Sequence, residues 1–206
     1  MHAKTDALVR LVDDEQSVCD SLSMFLSAIG FRVKSYPSGK AFLEEDSPEI
    51  PGCVVLDVRM PDMTGLEVQE EMIRRQRSLP IVFLTAHGDI PMAVDAIQNG
   101  AFAFLEKPPM PEALEEKITE AVEKSFELMS EEKERSACLR RWAALTPAEQ
   151  QAAIVIAKGL RNADVAAVLE VSVWTAKAYK TAVYNKLEVE NPIEVSDFLR
   201  QAGIVQ

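Results

Sequence analysis

The sequence predicts a doubly wound α/β domain followed by a small, all-helical one. Three observations carry that expectation. Over the first 110 residues, short apolar runs alternate with helix-like patterns through five rounds, which implies a parallel sheet covered by helices on both faces. Two runs, Val54-Val55-Leu56 and Ile81-Val82-Phe83-Leu84, are continuously apolar, as strands buried on both sides are. The last third of the chain has helical patterns only. Right-handed crossovers leave few topologies for five βα units, and the commonest is doubly wound.

Strands are expected at 7–12, 31–35, 53–57, 81–85 and 102–105. Helices are expected near 16–29, 38–45, 64–77 and 90–99, with another starting after Pro111. That last pattern runs far, its stripe passing from Leu114 and Ile118 to Phe126 and Met129. It fades into Ser130-Glu131-Glu132-Lys133-Glu134-Arg135, a polar stretch that reads as linker, helical or not. The expected division is therefore a domain over 1–125, a linker over 126–141 and a helical domain over 142–206.

In the helical part, Thr146-Pro147-Ala148-Glu149 offers an N-cap, a proline at the first helical position and a glutamate at the third. That helix should stop near Gly159. Asn162 and Ser172 read as caps for helices over 163–169 and 173–187. The short break at Glu170-Val171 gives helix-turn-helix spacing. Asn191-Pro192-Ile193-Glu194 repeats the capping logic for a last helix.

Composition narrows the classes. The 206 residues are 48% hydrophobic, enough for two small domains with real cores. No window approaches the ~18 unbroken apolar residues of a membrane span, so no membrane partner is expected. Met1 to Asp6 shows no signal-peptide pattern. Cys19, Cys53 and Cys138 have neither metal-ligand nor redox-motif spacing, which fits reduced thiols in a cytoplasmic protein. Net charge is −11, which on its face argues against nucleic acid. The charge is uneven, however. Residues 140–206 carry eight basic and seven acidic groups, leaving 14 basic and 26 acidic in residues 1–139. Two modules with different partners follow.

In an open parallel sheet, ligands bind at the carboxyl ends of the strands. The first strand ends at Asp13-Asp14, the third at Asp57, the fourth at Thr85, and Lys107 follows the fifth. Three carboxylates, a hydroxyl and an ammonium thus converge on one rim. Aspartates are common at strand ends as turn residues, but turn chemistry does not explain all five groups together. Three clustered carboxylates repel and raise one another's pKa unless a cation sits among them. An all-oxygen set suits Mg²⁺. A carboxylate in that setting is a nucleophile able to form an aspartyl phosphate.

Val12-Asp13-Asp14-Glu15, Leu56-Asp57-Val58-Arg59-Met60-Pro61-Asp62-Met63-Thr64-Gly65, Leu84-Thr85-Ala86-His87-Gly88-Asp89 and Phe104-Leu105-Glu106-Lys107-Pro108 resemble the receiver domain of bacterial two-component response regulators. The resemblance covers about residues 5–125 and implies a flavodoxin-like strand order. It implies Asp57 as phosphoacceptor, fed by a sensor histidine kinase. Asp13, Asp14, Asp57 and the backbone carbonyl of Arg59 would hold Mg²⁺, and Lys107 and Thr85 would bind phosphoryl oxygens. Phe104 would be the aromatic switch that turns inward as Thr85 moves, where the residue pattern alone reads it as core. Arg59 and His87 flank the site as surface residues or as tuners of dephosphorylation. The family's Lys-Pro bond is typically cis, and the same is expected at Lys107-Pro108. Where the family continues with Phe, this chain has Pro109, which should delay the last helix.

Leu145-Thr146-Pro147-Ala148-Glu149, Ala157-Lys158-Gly159-Leu160-Arg161-Asn162, Val165-Ala166-Ala167-Val168-Leu169 and Val171-Ser172-Val173-Trp174-Thr175-Ala176-Lys177 resemble the LuxR-type helix-turn-helix. Together the two resemblances point to the FixJ/NarL family of transcription regulators. The helix after Ser172 would enter the major groove, with Ala176, Val183 and Leu187 facing inward. Thr175, Lys177, Lys180, Thr181 and Tyr184 are the candidate DNA contacts, with Lys186 at a backbone phosphate. Several features depart from the family. Ala148-Glu149-Gln150 replaces Arg-Glu-Arg, Asn162-Ala163-Asp164 replaces Asn-Lys-Glu, Glu170 and Glu188 replace glycines, and Tyr179 replaces a histidine. Each missing phosphate contact flattens the salt dependence of binding by about 0.9 in log–log slope.

The implied function is a phosphorylation-activated transcription regulator that dimerises on phosphorylation and binds promoter DNA, with RNA polymerase as a further partner. It would be no enzyme beyond its own phosphorylation and dephosphorylation. A phosphatase of the haloacid dehalogenase type needs a second Asp two residues after the nucleophile, where this chain has Arg59. The alternative is a phosphorylation-dependent regulator whose altered C-terminal module binds protein instead of DNA.

Overall fold

The computed structural model describes residues 4–86 and 90–205. It forms two compact units that divide between Met129 and Ser130.

In the first unit, five strands alternate with helices. They are β1 (Leu8–Val12), α1 (Gln16–Ala28), β2 (Arg32–Tyr36), α2 (Gly39–Glu45), β3 (Gly52–Asp57), α3 (Gly65–Arg74), β4 (Ile81–Thr85), α4 (Ile90–Gln98), β5 (Ala103–Glu106) and α5 (Pro111–Ala143), of which the residues up to Met129 belong to this unit. The strand order is β2-β1-β3-β4-β5, and every pairing is parallel. This is the flavodoxin-like order with its switch point between β1 and β3. Alternation along β3 feeds two cores. Cys53 and Val55 pack with α1 and α5 residues such as Leu26 and Ile118, while Val54 and Leu56 pack with Phe42, Val68 and Met72.

α3 ends earlier than the expected 77, because the chain turns into a left-handed conformation at Gln76 (φ 55°). Its start is fixed by a reciprocal capping box, the Thr64 side chain accepting from Glu67 N–H while the Glu67 carboxylate accepts from Thr64 N–H.

The stretch read as linker is helical. α5 runs unbroken for 33 residues through Ser130–Arg135. The sequence pattern left open whether this linker is helical. Yet Glu, Lys and Arg are good helix formers, and Arg135 pairs with Glu132 one turn away.

The second unit adds α6 (Pro147–Ile156), α7 (Asn162–Val168), α8 (Val173–Leu187) and α9 (Pro192–Gln201) around a core with Ile156, Val165, Val183, Leu187 and Leu199. Thr146, Ser172 and Asn191 cap α6, α8 and α9 with their side chains. The expected cap at Asn162 is displaced by one residue. Arg161 has the extended cap conformation, and Asn162 is the first helical residue. Glu170 and Glu188 both sit at positive φ, 54° and 57°, a conformation that suits glycine. No helix among the described residues is long and apolar enough to cross a membrane.

Candidate functional site

The carboxyl ends of β1 and β3 flank the switch point, and the side chains there meet. Asp13 and Asp57 are buried and Asp14 is exposed, with ligand-capable oxygens of all three within 4.8 Å of one another. Asp13 is aimed by the turn after β1, where its Oδ1 accepts from Glu15 N–H at 2.9 Å. Lys107, one residue beyond β5, spans the other side. Its Nζ lies 2.6 Å from Asp13 Oδ2 and 3.0 Å from Asp57 Oδ1. Its backbone N–H donates to Thr85 O at 2.6 Å, tying the lysine to the end of β4.

Burial pushes the Asp57 pKa above its ordinary value, aided by Asp13 and Asp14 and opposed by Lys107. Lys107 moves the same way for a different reason. Burial favours its neutral form, but hydrogen bonds to Asp13 and Asp57 outweigh that and raise its pKa. One ammonium therefore serves two buried carboxylates and leaves a third, exposed one beside them. The donor set is all oxygen and carries more negative charge than Lys107 neutralises. That is the chemistry of a hard divalent cation such as Mg²⁺.

Other predicted residues fall around this cluster. Thr85 is buried at the end of β4. Phe104 is half-buried on β5 and packs on Phe83 at 5.9 Å between ring centroids. Arg59 is exposed in the loop after β3. His87 lies outside the described residues. The Lys107-Pro108 bond is cis, and α5 begins only at Pro111. Gly65 explains the tight course after Asp57. A Cβ there would lie 2.3 Å from Asp57 O and 2.9 Å from the Phe83 ring.

The candidate DNA contacts on α8 do not share one face. Ala176, Val183 and Leu187 are buried as expected, and Lys177 and Thr181 are exposed. Tyr184 instead packs against the core, its hydroxyl buried with no hydrogen-bond partner among the described residues. Lys180 lies over the Tyr184 ring at 5.5 Å. At 100° per residue, position 184 falls within a quarter turn of the buried stripe. Thr175 belongs to the cap of α8, its N–H and hydroxyl both meeting Ser172 Oγ. Lys186 is bound within the unit, its Nζ 2.7 and 3.0 Å from the two carboxylate oxygens of Glu149. The face opposite the core carries Trp174, Ala178, Thr181 and Asn185, all exposed. The same 100° arithmetic applied to the sequence identifies that stripe.

Sequence reasoning also missed a polar centre in the first unit. Arg10, on the interior strand β1, is fully buried. Its guanidinium donates to Asp46 Oδ1, to Leu8 O, and to Ser47 O and Ile50 O. Asp46 Oδ1 also accepts from the Tyr36 hydroxyl at 2.8 Å. The network staples the loop after α2 to the sheet.

Residues 9–119 match the family model of the response regulator receiver domain. Residues 143–199 match that of bacterial regulatory proteins of the luxR family. The chain is 34% identical over 199 residues to the response regulator protein TmoT of Ectopseudomonas mendocina, covering 95% of this chain and 87% of that protein. It is also 34% identical over 196 residues to the transcriptional regulatory protein FixJ of Azorhizobium caulinodans, covering 95% and 93%. Among solved structures, the response regulator StyR superposes with a TM-score of 0.81 at 34% identity, covering 96% of this chain and all of that one. These are regulators, not a catalytic enzyme family. An acidic cluster at the switch point precedes a helix-turn-helix unit, and with these matches the chain is a member of the transcriptional response regulators that join a receiver domain to a LuxR-type DNA-binding domain.

Proposed function

We propose that Asp57 accepts a phosphoryl group from a sensor histidine kinase, and that this modification controls DNA binding by the C-terminal unit. The observation that carries the reading is the convergence of Asp13, Asp14, Asp57 and Lys107 at the switch point. An Asp57 carboxylate oxygen attacks phosphorus, the N–P bond of the phosphohistidine breaks, and an aspartyl phosphate forms. Lys107 is placed to exchange its contact with Asp57 Oδ1 for one with a phosphoryl oxygen, and the Thr85 hydroxyl takes another. Asp13, Asp14, Asp57 and the Arg59 carbonyl would hold Mg²⁺, which supplies neutralising charge to the phosphoryl oxygens. Phosphorylation adds about −1.5 to −2 charges. That charge draws Thr85 and Lys107 inward and shifts a two-state equilibrium. Phe104 follows Thr85 by repacking against Phe83.

The receivers then pair, and two helix-turn-helix units reach half-sites roughly 34–36 Å apart or multiples of that. The protein acts in the cytoplasm, where RNA polymerase is a further partner. The boundaries 1–125, 126–141 and 142–206 give the working domains of this scheme. Lys177 and Thr181 are the favoured DNA contacts of those read from sequence, because both are exposed on α8. Capture of Lys186 by Glu149 and the near-neutral charge of the C-terminal unit favour a second reading, in which that unit binds protein. The composition of α8 favours DNA. Its 15 residues include Lys177, Lys180 and Lys186 and no Asp or Glu, in a chain of net charge −11.

Intact mass after incubation with acetyl phosphate and Mg²⁺ tests the chemistry. One phosphoryl group is expected on the wild type and none on Asp57→Asn. Equal labelling of both proteins refutes Asp57 as the acceptor.

A further inference from the structure

Trp174 is 79% exposed, the most exposed of the large apolar side chains described. It is the second residue of α8, two positions after the Ser172 cap. Its stripe continues through Ala178, Thr181 and Asn185, opposite the buried Ala176, Val183 and Leu187. An indole left in water on a short helical unit is an unused contact surface, since Trp typically buries its large apolar body at interfaces. Among the described residues, its own unit leaves it largely uncovered.

We propose that Trp174 is a specificity-determining residue that reads thymine methyl groups in the major groove. The inference rests on the DNA-binding reading given above and names how selectivity arises within it. Charge complementarity selects the occupant. Trp174 stands on the acid-free helix α8, with Lys177 exposed one turn on. That setting attracts a polyanion and repels a basic protein surface. The second helix of a helix-turn-helix presents its N-terminal residues to base edges, and Trp174 is at that end. On those edges the one apolar group is the thymine C5-methyl. An indole has a broad apolar face and a single donor, so it discriminates by that methyl and not by a bidentate hydrogen-bond pattern. Ala178, one turn further along the stripe, has a side chain small enough to let the helix approach the groove floor. The lysines supply affinity without sequence information.

The test uses the full-length protein activated with beryllofluoride and Mg²⁺. A binding site is first selected from random duplex DNA. Each thymine in it is then replaced by deoxyuridine, which removes the methyl and keeps the base pair. For the wild type, affinity should fall about fourfold at one or two positions per half-site, the effect of losing one buried methyl. Trp174→Ala should bind the selected site more weakly and lose that sensitivity. Its salt slope should match the wild type, because the slope counts phosphate contacts. Trp174→Phe should keep part of the sensitivity.

Two results overturn the proposal. Either the wild type is indifferent to every uracil, or Trp174→Ala keeps the wild-type uracil profile; altered self-association of that variant would then assign the indole to a protein contact. Failure of the wild type to select any sequence, in either state, overturns the DNA-binding reading and this inference with it. Circular dichroism of each variant checks folding, which an exposed side chain should not disturb.

Discussion

Lys107 Nζ stands 3.0 Å from Asp57 Oδ1 and 2.6 Å from Asp13 Oδ2, so a single ammonium bridges the two buried carboxylates at which the proposed phosphoryl group and divalent cation would both gather. Its two partners are buried carboxylates whose mutual repulsion it offsets. In the proposed scheme Lys107 therefore competes with a bound cation while remaining the partner of a phosphoryl oxygen.

Removing Lys107 should separate those roles. Lys107→Ala should bind Mg²⁺ about tenfold more tightly by calorimetry, because one positive charge leaves the cluster. It should also take up phosphate from acetyl phosphate more slowly. Without Mg²⁺, the variant should melt at a lower temperature than the wild type, and Mg²⁺ should restore much of the difference. Unchanged Mg²⁺ affinity would mean that Lys107 is not in the cation's way.

Gly65 gives a steric test of how Asp57 is held. Gly65→Ala forces a Cβ against Asp57 O and the Phe83 ring. Overpacking of this kind costs about 1–3 kcal/mol, and the displaced carbonyl belongs to Asp57, the proposed acceptor. Lower stability in urea, together with reduced phosphorylation, is the expected pair of results.

Arg10 makes a stronger stability prediction. Arg10→Met leaves Asp46 charged and buried and takes the donor from Ser47 O and Ile50 O. Breaking a buried ion pair in this way costs about 3–5 kcal/mol. Replacing Asp46 by Leu as well should recover part of the loss. Circular dichroism during urea unfolding measures both.

The C-terminal unit offers a pH test. Hydrogen bonds from Lys186, and then from the Thr146 backbone, hold the Glu149 carboxyl below its ordinary pKa of 4.5. A depressed folded pKa means stability that is present above the unfolded pKa and lost as pH falls through the folded one. The loss should therefore appear below about pH 4.5. Glu149→Gln keeps the capping geometry but removes the ion pair, so it should cost about 1 kcal/mol at pH 7 and flatten the acid limb. Both tryptophans, Trp142 and Trp174, lie in this unit, so tryptophan fluorescence of the whole protein reads its unfolding.

Glu170 and Glu188 should yield stabilising changes. Each holds a left-handed conformation at about 1 kcal/mol relative to glycine. Glu188→Gly or Glu170→Gly should raise the midpoint of the same fluorescence transition. Glu188 also pairs with Arg141 at 3.1 Å, but both side chains are substantially exposed, and such pairs contribute little.

The course of the first unit was legible because short apolar runs are separated by clear breaks, and because the strand-end rule maps Asp13, Asp57, Thr85 and Lys107 onto one rim without any side-chain detail. Arg10 was not legible. A charged residue inside an apolar strand run carries no local sign that Asp46, 36 residues later, will meet it. The fate of Ser130–Arg135 turned on a contest between polarity and helix propensity, and propensity decided it. On α8 the inward face was read correctly, but Lys180 and Tyr184 sit too near that face to be free. Lys186 was taken by Glu149, a partner 37 positions away. Sequence exposes periodicity, whereas long-range pairing emerges only with the fold.

The most direct test of the account is a genomic DNA pull-down with sequencing, comparing full-length protein with and without beryllofluoride and Mg²⁺ alongside Asp57→Asn. Enrichment of a pseudo-palindrome by the activated wild type alone is the predicted result. Equal enrichment by Asp57→Asn, or the same sites recovered without beryllofluoride, would contradict control of DNA binding through Asp57.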